Sequence, residues 1–160
     1  INSGLKSWKH IIINKDTLDK DFWNSFIELH IKSAGFKTRS EKTWEYQFDL
    51  IGRGLAYSIG LYDPISNDLV GAAFYQHNSS EALYAVAAYD RALFHKPIGH
   101  VIQWISINHA LNIGLKSICF VNDVRFNVEE IATKKEQRIQ FFKLGFCNQV
   151  KPVFILKSKD

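Results

Sequence analysis

The fold of this chain is decided by residues 82–121, which read ALYAVAAYDRALFHKPIGHVIQWISINHALNIGLKSICFV. Small and aromatic residues fill positions 82–89, as is typical of a strand, and Lys116–Val121 is a second short apolar stretch. Between them Pro97 suits the first turn of a helix, and Gly114 ends it. Strand, helix and strand in this order predict two parallel strands joined by a right-handed crossover.

More strands precede this unit. Leu55–Tyr62 and Leu69–Gln76 are separated by a turn at Asp63–Asp68, in which proline fixes φ and Asn and Asp bond locally. A second turn, Asn78–Ser80, leads into Ala82–Tyr89. Three strands joined by short polar turns predict an antiparallel meander.

The first half of the chain is predicted to be helical, because its apolar spacing is closer to 3.6 residues than to 2. One helix is capped by Asp16 or Thr17 and ends at Gly35. The next begins at Ser40 and ends at the glycines of residues 52–54.

The C-terminal part is predicted as a loop over Asn122–Ala132, a helix, and a last strand over Val150–Leu156. Thr133 caps the helix, and Glu136 completes a capping box. The helix is expected to turn three apolar side chains toward the core: Ile139, Phe142 and Phe146. The sequence thus predicts one α/β (α+β) domain over residues 1–160, with a mixed, mostly antiparallel sheet and flanking helices.

The composition limits the class of protein. The 160 residues are 46% hydrophobic and 22% charged, which indicates a folded core and argues against disorder. No apolar run approaches the ~20 residues of a membrane span. Two cysteines are too few for a disulfide framework and fit a reducing, cytoplasmic location. The sequence contains no Met, even at position 1, so we expect a processed chain or a piece of a longer protein.

The net charge of +4 does not by itself indicate a nucleic-acid binder. The positive charge concentrates in two clusters, which could meet a phosphate-bearing ligand or could simply be solvated helix surfaces. The clusters are Lys32, Lys37, Arg39 and Lys42, and Lys134, Lys135, Arg138 and Lys143.

The segment Tyr89–His100 is the strongest candidate for a binding site. It feeds the start of a helix, where free backbone N–H groups and the helix dipole attract phosphate. Gly99 lets a phosphate approach the backbone, and Arg91 and Lys96 add positive charge. The alternative is an ordinary strand-to-helix loop.

Other chemistry is not indicated. The six histidines lack metal-ligand spacing, so no metal site is predicted. Cys147 has no base placed near it by the sequence and is expected to be a packed thiol. Lys143 on the last helix is either a functional residue or a surface lysine whose stem packs on apolar neighbours.

Residues 139–146 read IQFFKLGF. A pattern like Ile-x-x-Phe-Lys-x-Gly-Phe is carried on the last helix by the FemAB-like branch of the GNAT acyltransferase superfamily, which this chain resembles. The resemblance covers roughly residues 20–155. It also rests on five upstream segments: Ala34–Trp44, Gly71–Phe74, Tyr84–Ala85, Ala88–Arg91 and Lys96–Trp104.

This resemblance implies a GNAT-like fold and transfer of an acyl or aminoacyl group to an amine. The donor would be acyl-CoA or, as in Fem enzymes, aminoacyl-tRNA. Lys143 would stabilise negative charge, and Tyr89 or Asp90 would orient or deprotonate the acceptor amine. Donor phosphates would contact Arg91, Lys96, Gly99 and His100.

The chain departs from the superfamily at the donor loop. The usual Arg/Gln-x-x-Gly-x-Gly/Ala pattern keeps only one glycine here, Gly99. The acceptor would be a small molecule or a peptide, and tRNA, a second GNAT-like lobe or a homodimer partner would be the macromolecular contacts. The alternative function is a non-catalytic lobe that binds a nucleotide-linked or peptide ligand or packs on a partner domain.

Overall fold

The computed structural model describes residues 2–120 and 133–151. The chain divides into two compact units, residues 1–121 and 122–160. The first unit contains a mixed sheet with helices on both faces.

The first unit has ten regular elements among its described residues. They are α1 (Asn2–Ser7), β1 (Lys9–Ile13), α2 (Lys20–Ala34), α3 (Glu41–Gly52), β2 (Ala56–Tyr62), β3 (Leu69–His77), β4 (Glu81–Tyr89), a 3-10 turn (Arg91–Leu93), α4 (Ile98–Asn112) and β5 (Ser117–Cys119).

The sheet has the order β1-β2-β3-β4-β5. Neighbours run antiparallel from β1 to β4, and β4 and β5 are parallel. The predicted meander and the predicted parallel crossover through α4 are both confirmed. The fold class predicted from the sequence is therefore correct.

Two apolar clusters cover the two faces of the sheet. Helix α4 packs on one face through Ile98, Val101 and Ile102. Helices α2 and α3 pack on the other, where Trp23 and Phe26 are almost completely buried. Each large side chain buried in this way contributes about 1.5–3 kcal/mol, so the two clusters hold the helices against the sheet.

Gly71 on β3 fixes how closely α4 approaches the sheet. A Cβ atom at this position would lie 2.6 Å from Cγ2 of Ile98 and 3.1 Å from Cδ1 of Ile102. Real Cβ atoms essentially never come as close as 2.6 Å, so the missing side chain is what lets the first turns of α4 lie on β3. The start of α4 is thereby placed next to the end of β4.

The N-terminal region differs from its prediction. The α2 cap is Asp19, whose side chain accepts from the N–H groups of Asp21 and Phe22, and not Asp16 or Thr17. Ser40 caps α3 as predicted. Helix α1 and strand β1 were not predicted. Strand β5 is shorter than the predicted Lys116–Val121, whose last residue lies outside the described ones.

The second unit contains α5 (Lys134–Leu144), with the predicted capping box between Thr133 and Glu136. The prediction that Ile139 faces the core is wrong, because its side chain is 43% exposed. Phe142 and Phe146 are half-buried and pack edge to face, with ring centroids 5.4 Å apart. The predicted loop Asn122–Ala132 and residues 152–156 of the predicted last strand lie outside the described residues.

Candidate active site

The parallel strands β4 and β5 pair over only a short length. Their register joins Glu81, Ala82 and Leu83 to Ser117–Cys119. Strand β4 continues to Tyr89, so in the described part of the first unit its second half has no partner on the β5 side. We call this unpaired stretch of β4, residues 84–89, the opening, since backbone groups without a strand partner are able to bind an extended ligand.

A β-bulge lies where this opening begins. Phe74 of β3 pairs with Val86, whereas the next residue, Tyr75, pairs with Tyr84, which leaves Ala85 as the extra residue of β4. Ala85 and Val86 consequently both pack on the side of α2 and α3. Such a bulge disrupts the ladder locally and leaves a peptide group unpaired.

Asp90 fixes the loop that follows β4. Its Oδ1 accepts from the Ala92 N–H at 2.9 Å, and its Oδ2 lies 3.0 Å from Nζ of Lys32 on α2. The hydrogen bond from Lys32, followed by that from Ala92, lowers the pKa of the Asp90 carboxyl. Asp90 is therefore ionised at neutral pH, with both oxygens engaged, and is a weak base.

The start of α4 carries the donor-loop residues predicted from the sequence. Pro97 precedes the helix and provides no side-chain cap. The N–H groups of a helix's first turn point out of its end, and Gly99 lies in this turn. Arg91 and Lys96 have exposed side chains, and Nζ of Lys96 lies 5.1 Å from the Trp8 ring centroid. Backbone donors and cations therefore stand close together along this loop.

Two half-buried tyrosine hydroxyl groups lie on the α4 side of β4. The hydroxyl oxygens of Tyr84 and Tyr89 are 2.8 Å apart. Burial raises the pKa of Tyr84 to about 12 and that of Tyr89 well above its ordinary value. Both phenols are protonated at neutral pH, so they can donate a proton or a hydrogen bond but cannot act as bases.

Gln103 of α4 completes this hydroxyl cluster. It is fully buried, and its Oε1 accepts from the Tyr75 hydroxyl at 2.9 Å. Its Nε2 is buried without a hydrogen-bond partner among the described residues. Gln103 lowers the pKa of Tyr84 and Tyr89, although burial raises both by more, so its amide lies beside both phenols.

The structure therefore groups Tyr89, Asp90, Arg91, Lys96, Gly99 and His100 around one loop and helix start. Lys143 belongs to the second unit, where it is half-buried on α5 and its carbonyl accepts from Sγ of Cys147 at 3.3 Å. Cys147 is half-buried and is not in a disulfide. Whether Lys143 serves the same site stays a prediction.

Three contributors to the site were not predicted from the sequence as functional residues. Lys32 donates a hydrogen bond to Asp90, 58 residues away. Gln103 accepts a hydrogen bond from the Tyr75 hydroxyl, and the ammonium of Lys96 lies over the Trp8 ring. Gln103 carried one usable signal, because it is a polar residue on the apolar face of a predicted helix. Lys32 was singled out only as a member of a basic cluster, with no indication that it pairs with Asp90, and Trp8 carried no signal.

Two further kinds of feature are absent from the parts of the chain that the structure describes. No three His, Cys, Asp or Glu side chains lie together in a way that could hold a metal ion. No helix there combines the length and the apolar character needed to cross a bilayer.

Solved structures with a similar fold are acetyltransferases. An aminoglycoside acetyltransferase from an uncultured soil metagenomic sample, in complex with trehalose, is 13% identical with a TM-score of 0.69, and the match covers 97% of each chain. AAC(6')-Iy, in complex with the bisubstrate analogue CoA-S-monomethyl-acetylneamine, is 9% identical with a TM-score of 0.66, covering 95% of this chain and 99% of that one.

A third similar structure is glucosamine-6-phosphate N-acetyltransferase from Arabidopsis thaliana, 15% identical, with a TM-score of 0.60 and coverage of 96% and 99%. No family model and no curated protein matches the sequence. At these identities the likeness shows the fold, which is that of the GNAT N-acetyltransferases.

Proposed function

We propose that this chain is an N-acyltransferase that moves an acyl group from acyl-CoA to an amine. The observation that carries the proposal is the opening of the β4–β5 pair after Leu83, with the start of α4 at its end. An extended thioester fits such an opening, and the helix start accepts its phosphates. A CoA-based analogue bound to a protein of the same fold supports this choice of donor.

In this proposal the donor phosphates bind at the first turn of α4. The N–H groups of Gly99 and His100 donate to the phosphate oxygens, while Arg91 and Lys96 neutralise their charge. The loop keeps one glycine where the superfamily pattern has two, so we infer that side-chain cations supply part of what backbone donors supply elsewhere. Asp90, tied to Lys32, holds the loop in position.

The reacting thioester lies along β4 at the bulge. The amine nitrogen attacks the thioester carbon, a C–N bond forms and the C–S bond breaks. An unpaired peptide N–H at Ala85 donates to the carbonyl oxygen as negative charge develops there. Tyr84 and Tyr89 donate hydrogen bonds toward the leaving thiolate, and the proton lost by the amine passes through solvent to that thiolate, so that amide and free thiol are the products.

Lys143 is proposed to stabilise negative charge on the donor, as the FemAB-like resemblance implies. That resemblance also leaves aminoacyl-tRNA as an alternative donor. The binding measurements described below distinguish acyl-CoA from aminoacyl-tRNA. The acceptor is proposed to be a small molecule or peptide carrying a primary amine, since two of the similar structures are aminoglycoside acetyltransferases by name.

Thermal melting with and without CoA tests donor binding, because a ligand that binds only the folded state must stabilise it. At a hundredfold excess over Kd, we expect a rise of about 5 °C or more. Release of free thiol from acetyl-CoA in the presence of a panel of primary amines then tests transfer. A rise in melting temperature without thiol release supports the non-catalytic binding lobe instead.

A single substitution tests whether the donor phosphates bind at the start of α4. Gly99→Asp puts a negative side chain at the proposed phosphate position and should abolish CoA binding without unfolding the chain. If Gly99→Asp binds CoA like the wild type, the phosphate site lies elsewhere. If the wild type does not bind CoA but binds an aminoacyl-tRNA, the donor is aminoacyl-tRNA, as in Fem enzymes, and not acyl-CoA.

A further inference from the structure

A groove of about 240 Å³ lies between α2 and α3 and plays no part in the proposed reaction. Its apolar lining comes from Trp23, Ile27 and Ile31 on α2 and from Trp44 on α3. The two tryptophan rings meet edge to face, with centroids 5.6 Å apart. The remaining lining residues are charged: Lys20, Lys37, Arg39, Glu41 and Glu45.

The groove and the donor loop lie on different sides of α2. Trp23, Ile27 and Ile31 follow one another at intervals of four residues, so they form one stripe along the helix. Lys32 lies about 100° further round the helix than Ile31, and it is Lys32 that reaches Asp90 of the donor loop. A ligand in the groove would therefore be separated from the donor loop by α2 itself.

The charges of the groove are not balanced. Lys37 and Glu41 lie 3.6 Å apart and largely neutralise each other, and Nζ of Lys20 sits 4.6 Å from the Phe48 ring centroid. Arg39 forms no ion pair within the described residues. Among the lining residues, the exposed Glu45 of α3 is then the one negative charge left to balance the positive charges of Lys20 and Arg39.

Arg39 also has an unsatisfied group. Its Nε is buried beside the groove and has no hydrogen-bond partner in the described part of the chain, so it is the terminal N–H groups of the guanidinium that could face a ligand. The pKa of His30 is lowered by burial and, after that, by the charge of Arg39, so the Arg39 guanidinium lies near His30.

We propose that this groove binds a small organic acid with an apolar, flat body. The body lies over Trp23 and Trp44 between the walls of α2 and α3, and the carboxylate accepts from Arg39. A guanidinium donates to a carboxylate through two parallel N–H groups, so this ligand balances the excess positive charge of the groove. The volume is below the range of about 300–1,000 Å³ of drug-sized sites and fits a small molecule.

Calorimetry with three probes that share one apolar body and differ in the charge of the end group tests the ligand class. The probes are 3-phenylpropionate, its neutral amide and 3-phenylpropylamine. We expect the acid to bind and the amide and amine to bind at least about tenfold more weakly, because they cannot accept a bidentate guanidinium. Equal binding of acid and amide, or no binding of the acid up to about 10 mM, would overturn the proposal.

Two matched variants locate the site. Arg39→Gln should raise the Kd of the acid at least about tenfold, whereas Arg53→Gln, which removes an exposed arginine at the other end of α3, should leave it within about twofold. Equal effects of the two variants would contradict the assignment. If Arg39→Gln does not fold, the comparison of acid and amide binding to the wild type still tests whether the site requires a carboxylate.

The measurement is repeated with saturating CoA, so that it does not depend on the proposed acyl transfer. An unchanged Kd for the acid supports a separate groove even if the chain transfers no acyl group. Displacement of the acid by CoA would show that the acid binds in the donor opening, and it would overturn the proposal of a separate site in the groove.

Discussion

The hydroxyl oxygens of Tyr84 and Tyr89 lie 2.8 Å apart although the two residues are five positions apart on one strand. In a regular strand, residues separated by an odd number of positions face opposite sides of the sheet. The bulge at Ala85 shifts the alternation by one residue, so both tyrosines face α4. The bulge therefore creates the buried pair as well as the irregular point beside the opening.

The buried phenols should make the protein lose stability at alkaline pH. An unfolded tyrosine has a pKa of about 10, whereas that of Tyr84 is raised to about 12, so between these values the folded state holds a proton that the unfolded state has lost. Stability is thus complete below about pH 10 and falls above it, by about 1 kcal/mol per such tyrosine at pH 11.

Urea unfolding at pH 8 and pH 11 measures this loss. The double variant Tyr84→Phe/Tyr89→Phe should lose less stability between the two pH values than the wild type. Tyr46→Phe, at an exposed position, is the control and should behave like the wild type. An equal loss in the double variant and the wild type would show that these phenols do not ionise with the shifts described.

Gly71→Ala should displace the start of α4. The new Cβ would meet Cγ2 of Ile98 at 2.6 Å, and overpacking of this kind costs about 1–3 kcal/mol. Because the first turn of α4 is the proposed phosphate site, CoA affinity should fall with stability. Gly52→Ala is the control, since its Cβ would lie at an ordinary 3.6 Å from Leu18. Equal melting temperatures for the two variants would contradict the close approach.

The ion pair of Asp90 with Lys32 should contribute stability that depends on pH. The folded pKa of Asp90 lies below its unfolded value, so the contribution is present above about pH 4 and is lost as the pH falls through the folded pKa. Asp90→Asn should cost about 1 kcal/mol or less at pH 7, because Lys32 is 70% exposed, and much less near pH 2.

Urea unfolding of Asp90→Asn and of the control Asp49→Asn at the two pH values checks this. Asp49 pairs with Arg53 on an exposed helix surface, so its variant should change stability little at either pH. CoA binding should weaken only in Asp90→Asn, since only that carboxylate holds the donor loop. A difference between Asp90→Asn and the wild type that persists unchanged near pH 2 would refute the ion-pair account.

The elements predicted correctly from the sequence are those whose signal is local. The β4–α4–β5 crossover was predicted because the apolar period changes and Pro97 and Gly114 mark the helix. Strand β1 was missed because its apolar run is only Ile11–Ile13, and pairing with β2 is what makes it a strand. The α2 cap was misplaced because Thr17 is a capping type whose hydroxyl instead donates to the Ile12 carbonyl, at 3.0 Å.

The parts of the site that could not be predicted depend on tertiary contacts. No local pattern connects Lys32 to Asp90 across 58 residues. The bulge at Ala85 is set by the register with β3, which a single strand does not encode. The helical period of α5 indicates an apolar face, but it does not indicate that Ile139 is covered, and Ile139 is exposed.

Lys143→Ala tests the proposed role of the second unit. If the Lys143 ammonium stabilises charge that develops during transfer, turnover should fall by about 10²-fold or more, as for the loss of one oxyanion-stabilising group. The melting temperature should change by only about a degree or two, since Lys143 is half-buried at a helix position outside the core. Lys135→Ala removes the same charge from an exposed position of the same helix and should keep turnover within about twofold.

Lys143→Arg then separates charge from geometry. It keeps the charge but changes its shape, so partial activity is expected if the ammonium acts as a point charge. Thiol release from acetyl-CoA with an amine acceptor is the readout for all three variants. If Lys143→Ala and Lys135→Ala retain equal turnover, Lys143 is a structural lysine of α5, and the charge in the transition state must be stabilised by the backbone of β4 and the start of α4 alone.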